Sequence, residues 1–519
     1  MTGGGPVLTR RALLASGAAG LVAGCLPLRA PRARPALPYG VQCGDVVPGR
    51  AVIWSRSDRP ARLRVEWSTA EHLRGATLVE GPWALPASDF TARVDLTGLP
   101  AGADVFYRAS FEGEDGGASE PAAGRFRTPP AERRTVRFCF SGDEVGQGWG
   151  IDPAYGGLAL YETMRRTEPD FFVHMGDQIY ADNPLAAEVA LADGSVWRNL
   201  VTPTKARPAQ TLDELRGNFA YNLLDAHKRR FAAEVPFLVQ WDDHEVRNNW
   251  FPGQLVPADT PGGSIDVSLI AARARRAMLE YCPFRLAEGA AAPLYRSFSY
   301  GPSLDVFLLD ARSHRASNGP NDEPRSGPRT AFYGDAQLAW LERGLTASRA
   351  TWKVVACEMP LSLVVRDRNP GIPEGWYEAL ANARGGAPLG RELELARLLS
   401  FVRRREIRNL VWIAADVHYA CAIHYDPARA AFREFAPFWE FVAGPLHAGT
   451  FGLGELDPSF GPELRFASVP RDLAPNRPPS EGLQFFGLAE VDGASEELTV
   501  SIHDRAGARL FAVRLPPER

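Results

Sequence analysis

FFVHMGDQIY, Phe171 to Tyr180, is the stretch on which the reading of this chain turns. A short apolar run, Phe171-Phe172-Val173, stops abruptly at Gly176-Asp177, and Tyr180 follows three residues later. A buried strand that ends in Gly-Asp sets a carboxylate at the C-terminal edge of a sheet, where sites of α/β proteins form. A turn-capping aspartate has the same local pattern, so the question is whether other strands end the same way.

They do. The run at 136–141 leads to Asp143, and 236–241 leads to Asp242-Asp243-His244-Glu245, with Asn248 and Asn249 beyond. The run at 352–357 ends at Glu358, and 410–415 ends at Asp416-x-His418. Carboxylates brought together at one sheet edge cannot all stay ionised without a counter-charge, and two bound metal ions resolve that conflict. Hard oxygen donors with a tyrosine and a histidine point to Fe(III), Mn or Ca rather than to a thiolate-held zinc.

Around these runs the chain divides by pattern. Residues 39–128 carry short period-2 segments (RAVIWSR, ARLRVEWS, FTARVDLTGL, DVFYRASFE, AAGRFRT) at roughly ten-residue spacing, as in an all-β sandwich. Pro129-Pro130 marks a boundary. From Val136 apolar runs alternate with helical segments near 154–167, 212–231, 268–281, 335–348 and 392–407, and the tail returns to β. The pattern predicts an α/β (α+β) architecture: a mixed sheet with helices packed on it and a second, more antiparallel sheet. The domains expected are 1–37 (signal and linker), 38–129 (N-terminal immunoglobulin- or fibronectin-like sandwich) and 130–519 (the part that carries the strand-end carboxylates). The insertion 181–211 and the loop 252–266 are expected to shape access.

The chain has 519 residues, 45% hydrophobic and 23% charged, enough for a large core, and its net charge of −4 leaves no basic footprint for nucleic acid. Arg10-Arg11 followed by a short run of small apolar residues predicts a twin-arginine export signal and the export machinery as a partner. Val22-Ala23-Gly24-Cys25 reads as a lipobox, which would anchor the protein by a lipid on Cys25 in the periplasm or at the cell surface. The rival is plain cleavage within 26–37. The six cysteines are irregularly spaced and contain no CxxC, so most read as small buried hydrophobes, with a Cys43–Cys282 bridge left open.

FSGD, HMGDQIY, QWDDHE and AADVH, in that order on strand ends, resemble the calcineurin-like metallophosphoesterases. They are more similar still to the PhoD-like alkaline phosphatase/phosphodiesterase branch, as are LLDARSHR and QLAWLERGL, and the resemblance covers about 39–519. It implies a sandwich of two mixed β-sheets flanked by helices. It also implies hydrolysis of small phosphate monoesters or diesters by a metal-bound hydroxide at a dinuclear centre. Carried onto this chain, Asp177 would bridge the ions. Asp143, Tyr180 and His418 would hold the first, and Asp243 and Asp416 the second, with Glu358 as a weaker candidate. His244 would orient or protonate the leaving oxygen, and Arg247 and Arg312 are the nearest forks for phosphoryl oxygens. Asp143 departs from the cysteine of founding-type members. Asp243 and Asp416 stand where the wider superfamily has an asparagine and a histidine, which favours Fe(III) with Ca(II) over Mn or Zn. Two alternatives remain: a phosphodiesterase or phospholipase-D-like enzyme, and a non-catalytic, metal-stabilised surface lipoprotein. His174 reads as core, and His447 as a pocket or loop residue.

Overall fold

The computed structural model describes residues 1–2, 34–257, 264–286 and 292–518. The twin-arginine pair and Cys25 lie outside these residues. From Pro35 to the C-terminus the chain forms one compact unit.

Phe171–Met175 is a central strand with every residue buried. It runs parallel to Val136–Ser141 on one side, with Cys139 opposite Phe172, and to Phe237–Gln240 on the other, with Leu238 opposite Val173. Its alternate side chains serve two cores. Phe171, Val173 and Met175 face a second sheet, where Val306, Leu308, Val354, Ala356 and Ile413 meet them. Phe172 faces the helical side, among Tyr161, Phe231, Phe237 and Met278. A strand covered on both faces reads as a continuous apolar run, which is why this stretch shows no alternation in sequence.

The first sheet has nine strands, in the order Arg509–Leu515, Leu498–Asp504, Phe485–Val491, Val136–Ser141, Phe171–Met175, Phe237–Gln240, Val41–Val47, Arg50–Arg56, Thr91–Thr97. The second has seven, in the order Arg296–Tyr300, Leu304–Leu308, Trp352–Ala356, Leu410–Ala414, Phe438–Val442, Cys421–Tyr425, Pro462–Ala467. Both are mixed. Parallel strands lie inside each, and antiparallel ones flank them. The expectation of a second sheet more antiparallel than the first gives way to two sheets of the same kind.

A separate four-stranded antiparallel sheet, Thr77–Ala84, Ala61–Ser68, Asp104–Glu112 and Ala122–Arg127, packs Leu63, Val65 and Val105 against Val41, Val94 and Leu96. The N-terminal β region therefore shares a sheet with the rest of the chain, since Val41–Val47 pairs in parallel with Phe237–Gln240 at Gly44 and Phe237.

The predicted helical stretch 212–231 is two helices. Leu212–Asn222 starts on a capping box of Thr211 and Glu214, and Ala226–Glu234 starts on Asp225, which accepts from the backbone N–H groups of His227 and Lys228. Such caps are each worth about 1 kcal/mol, and the aspartate forces the break. The insertion 181–211 contains a short strand pair, Glu188–Ala190 with Val196–Arg198. The stretch 252–266 contributes Leu255–Pro257 paired with Ser264–Asp266, while 258–263 lies outside the described residues. Cys43, Cys139, Cys282, Cys357 and Cys421 are all free and buried, so the Cys43–Cys282 bridge is absent.

Candidate metal centre

The C-terminal ends of parallel strands from both sheets meet at one edge. Asp143 follows Ser141, Asp177 follows Met175, and Asp242 to Glu245 follow Gln240 in the first sheet. Asp416 and His418 follow Ala414 in the second. Each apolar strand ends in an abrupt turn, and Asp143, Asp177, Asp416 and His418 all take a left-handed backbone, with φ of 66°, 48°, 65° and 58°. Such conformations cost about 1–3 kcal/mol each and persist where the surroundings enforce them, typically at functional sites. Gly176, with φ 96°, has no room for a side chain, because a Cβ there would lie 2.5 Å from the Asp242 Cβ.

The side chains form three adjoining groups, each with its donor atoms within 4.8 Å of one another. They are Asp143/Asp177/His418, Asp177/Asp243/His244 and Asp242/Asp243/Asp416. Asp177 belongs to the first two and Asp243 to the last two. Tyr180 joins the first group, its hydroxyl 2.7 Å from His418 Nε2. His418 Nδ1 donates to the carbonyl of Gly449 at 2.6 Å, which leaves Nε2 as the lone-pair nitrogen facing the carboxylates. Glu245 supports the framework from beneath: its carboxylate accepts from the backbone N–H groups of Asp177, Gln178 and Asp242.

The electrostatics mark a strongly anionic centre. Burial, with Asp242 and Asp243 close by, pushes the Asp143 carboxyl well above its usual range, and burial with Asp243, Asp242 and Glu245 does the same to Asp177. Asp416 is raised by burial and by Asp242 and Glu378. Both carboxylate oxygens of Asp143 are buried without a hydrogen-bond partner. Buried carboxylates left like this need protons or cations, and oxygen donors with one imidazole and one phenol are the donor set of a hard or borderline metal ion. The residues present therefore fit metal ions.

His244 stands at the edge of the second group. Its Nδ1 is 2.6 Å from Asp182 Oδ1, and its backbone N–H donates to Asp177 Oδ1. Burial opposes its charge, but Asp182 and Asp243 outweigh burial and hold the imidazolium up to about 9. Asp182, which also accepts from the Asn248 N–H, has no strand-end signal in the sequence, because it lies in the polar insertion. Asp242 was legible as a carboxylate in QWDDHE but not as a member of a group with Asp243 and Asp416.

Two expected residues stand differently from the expectation. Glu358 is buried at its strand end but outside the three groups; one oxygen accepts from the Ala311 N–H and the other has no partner. Arg312 is not aimed at an open face as a phosphate fork would be. It is wholly buried, and its nitrogens point at Asp242, Glu378, Asp416 and Asp243. The sequence could not show this, since LLDARSHR does not say which way a guanidinium turns. Arg247 is half-buried, with its Nε buried and unpaired. His174 bonds to Glu144 inside the core, and His447 Nε2 contacts the Gly150 carbonyl.

The family model of PhoD-like phosphatase matches residues 139–502, well over half of the chain. The chain belongs to the PhoD-like phosphatase family. A second model, the N-terminal domain of PhoD-like phosphatases, matches residues 23–130. Alkaline phosphatase D of Bacillus subtilis (strain 168) is 27% identical over 440 residues, covering 80% of this chain and 70% of that protein. Among solved structures, one titled "Structure of PhoD" superposes with a TM-score of 0.68 at 20% identity, over 93% of this chain and 92% of the other. Purple acid phosphatase PPD1 of yellow lupin (Lupinus luteus) seeds superposes with a TM-score of 0.54 at 13% identity, over 93% of this chain and 74% of that one. Those two likenesses concern the fold, a metallophosphoesterase-like sandwich. As a PhoD-like phosphatase the chain is a phosphoric ester hydrolase, and its Asp/His groups suit metal dependence. Among the described residues no helix is long and apolar enough to cross a membrane.

Proposed function

We propose that this PhoD-like phosphatase hydrolyses small phosphate monoesters or diesters at a dinuclear metal centre bridged by Asp177. The observation that carries this reading is the place of Asp177 between Asp143 and His418 on one side and Asp243 on the other, beside an Asp143 carboxylate whose two buried oxygens have no hydrogen-bond partner. Asp143, Tyr180 and His418 would hold the first ion, and Asp243 would contribute to the second. The donor set favours Fe(III) with Ca(II), with Mn or Zn as alternatives. When bound, such ions lower the pKa of water and neutralise phosphoryl oxygens.

The chain's own groups do the rest. His244, held in one orientation by Asp182 and kept cationic, is placed to give a proton from Nε2 to the leaving oxygen. Arg247 has an unpaired buried Nε and offers a fork for a phosphoryl oxygen. Residues 38–129 serve as an orienting module for the catalytic part 130–519, a role supported by the Val41–Val47 pairing with Phe237–Gln240. The Arg10-Arg11 signal supports export by the twin-arginine route, with Cys25 as the lipid anchor.

The test is to determine the metal content and then measure hydrolysis of p-nitrophenyl phosphate and bis-p-nitrophenyl phosphate. Two ions per chain with turnover of either ester is expected, and the ratio of the two rates separates monoesterase from diesterase. Full metal content with no turnover of either would overturn the proposal.

A further inference from the structure

Of the three donor groups, the one formed by Asp242, Asp243 and Asp416 differs from the others, because it already surrounds a guanidinium, that of Arg312. Arg312 Nε donates to Asp242 Oδ1 at 2.5 Å, and its Nη2 lies 3.5 Å from Asp416 Oδ1 and 3.6 Å from Asp243 Oδ1. Its Nη1 donates to Glu378 Oε2 at 2.7 Å. All these side chains are buried or nearly so. A planar guanidinium with its donors in a fixed fork can meet several carboxylates at once, which an ammonium cannot.

The fork is also held from behind. Glu378 sits in the stretch between Ala356 and Glu392, which contains no helix or regular strand. Its backbone carbonyl accepts from Arg315 and from Arg391, and Arg391 Nη1 also donates to the carbonyls of Tyr377 and Ala379. Two further buried arginines thus pin the residue that pins Arg312.

We infer that Arg312 is the built-in counter-cation of the Asp242/Asp243/Asp416 group, standing in place of a further metal ion and setting how many ions the centre takes. The inference rests on the reading of the neighbouring groups as the metal centre. It reassigns Asp416, whose carboxylate pairs with Arg312 and lies outside the group that shares Asp177 and Asp243. Because Asp243 belongs to both the second and the third groups, the guanidinium charge also weakens the field felt by an ion beside Asp243. Arg312 is a positioning and charge-setting residue that does not touch substrate.

Opposite signs test this. Chelator-stripped wild type, Arg312→Ala and Glu378→Gln would be titrated by equilibrium dialysis with Ca²⁺ or Mn²⁺ alone, with circular dichroism as the check on folding. Removing the cation should add one ion per chain or tighten binding by roughly tenfold. Removing the anion behind it should weaken binding several-fold. Generic damage to the scaffold would weaken both. Unchanged or weaker binding by folded Arg312→Ala overturns the inference. Should that variant fail to fold, Arg312→Lys, which keeps the charge, must bind the wild-type number of ions, and a gained or lost ion overturns the inference. No ion bound by the wild type would sink the underlying reading instead, so the two failures are distinguishable.

Discussion

Asp143 has both oxygens buried and no partner, while Asp177 accepts from the His244 N–H. The difference fits the roles proposed for them: Asp143 would take a cation on its two oxygens, and Asp177 is oriented so that it could be shared. Histidine chemistry divides in the same way. His418 spends its Nδ1 on the Gly449 carbonyl and presents Nε2 beside Tyr180, as a ligand would. His244 spends Nδ1 on Asp182 and stays charged. His244→Ala is therefore expected to keep its metal and to lose about 10²–10⁴ in rate, checked by elemental analysis beside turnover. Loss of metal would make His244 a ligand. If iron fills the first group, Tyr180→Phe should remove a visible phenolate-to-iron absorption while leaving the far-ultraviolet circular dichroism unchanged. Most of these residues could be read from the sequence because each stands just after an apolar run. Asp182 and Glu378 could not, since they come from stretches without periodicity and reach the site only through the fold.

At the scale of elements, the strand ends carry the design. Gly176 turns the central strand at φ 96° with Asp242 packed against its Cα, so Gly176→Ala should destabilise by several kcal/mol, about 2–4. Urea unfolding would measure it, and a loss below about 0.5 kcal/mol would show that the turn can yield. A second element supports the other sheet. Glu440, in Phe438–Val442, accepts from the Leu361 N–H at 2.8 Å and from the Tyr425 hydroxyl at 2.6 Å. Burial pushes its carboxyl up to about 7 despite both bonds. Its folded value lies above the unfolded one of about 4.3, so the native state holds a proton the unfolded chain has released. Its contribution to stability is full below about pH 4.3 and is lost as the pH rises towards 7. Glu440→Gln keeps both contacts without titrating, so the melting temperature of the variant should gain on wild type between pH 5 and pH 7.5. A constant difference across that range would refute the assignment.

For the whole molecule, apolar runs and turn residues were enough to reveal two sheets with helices outside and a ligand-rich edge. Sheet membership was less legible. Val41–Val47 reads as part of an independent β module, yet it hydrogen-bonds to Phe237–Gln240, almost two hundred residues on, and nothing in local periodicity reports such a partner. The split of 212–231 into two helices was hidden for a different reason, because Asp225 caps the second helix inside a continuous amphipathic pattern.

The two sheets meet at an edge crowded with buried carboxylates, so metal ions should contribute to global stability by mass action. In the proposed centre one carboxylate, that of Asp177, is shared by two ions. The most direct test is elemental analysis of wild type and Asp177→Asn purified in parallel, with circular dichroism to confirm the fold. Two ions per chain in the wild type and neither in the variant is the predicted result. A folded Asp177→Asn that retains both ions would contradict the claim.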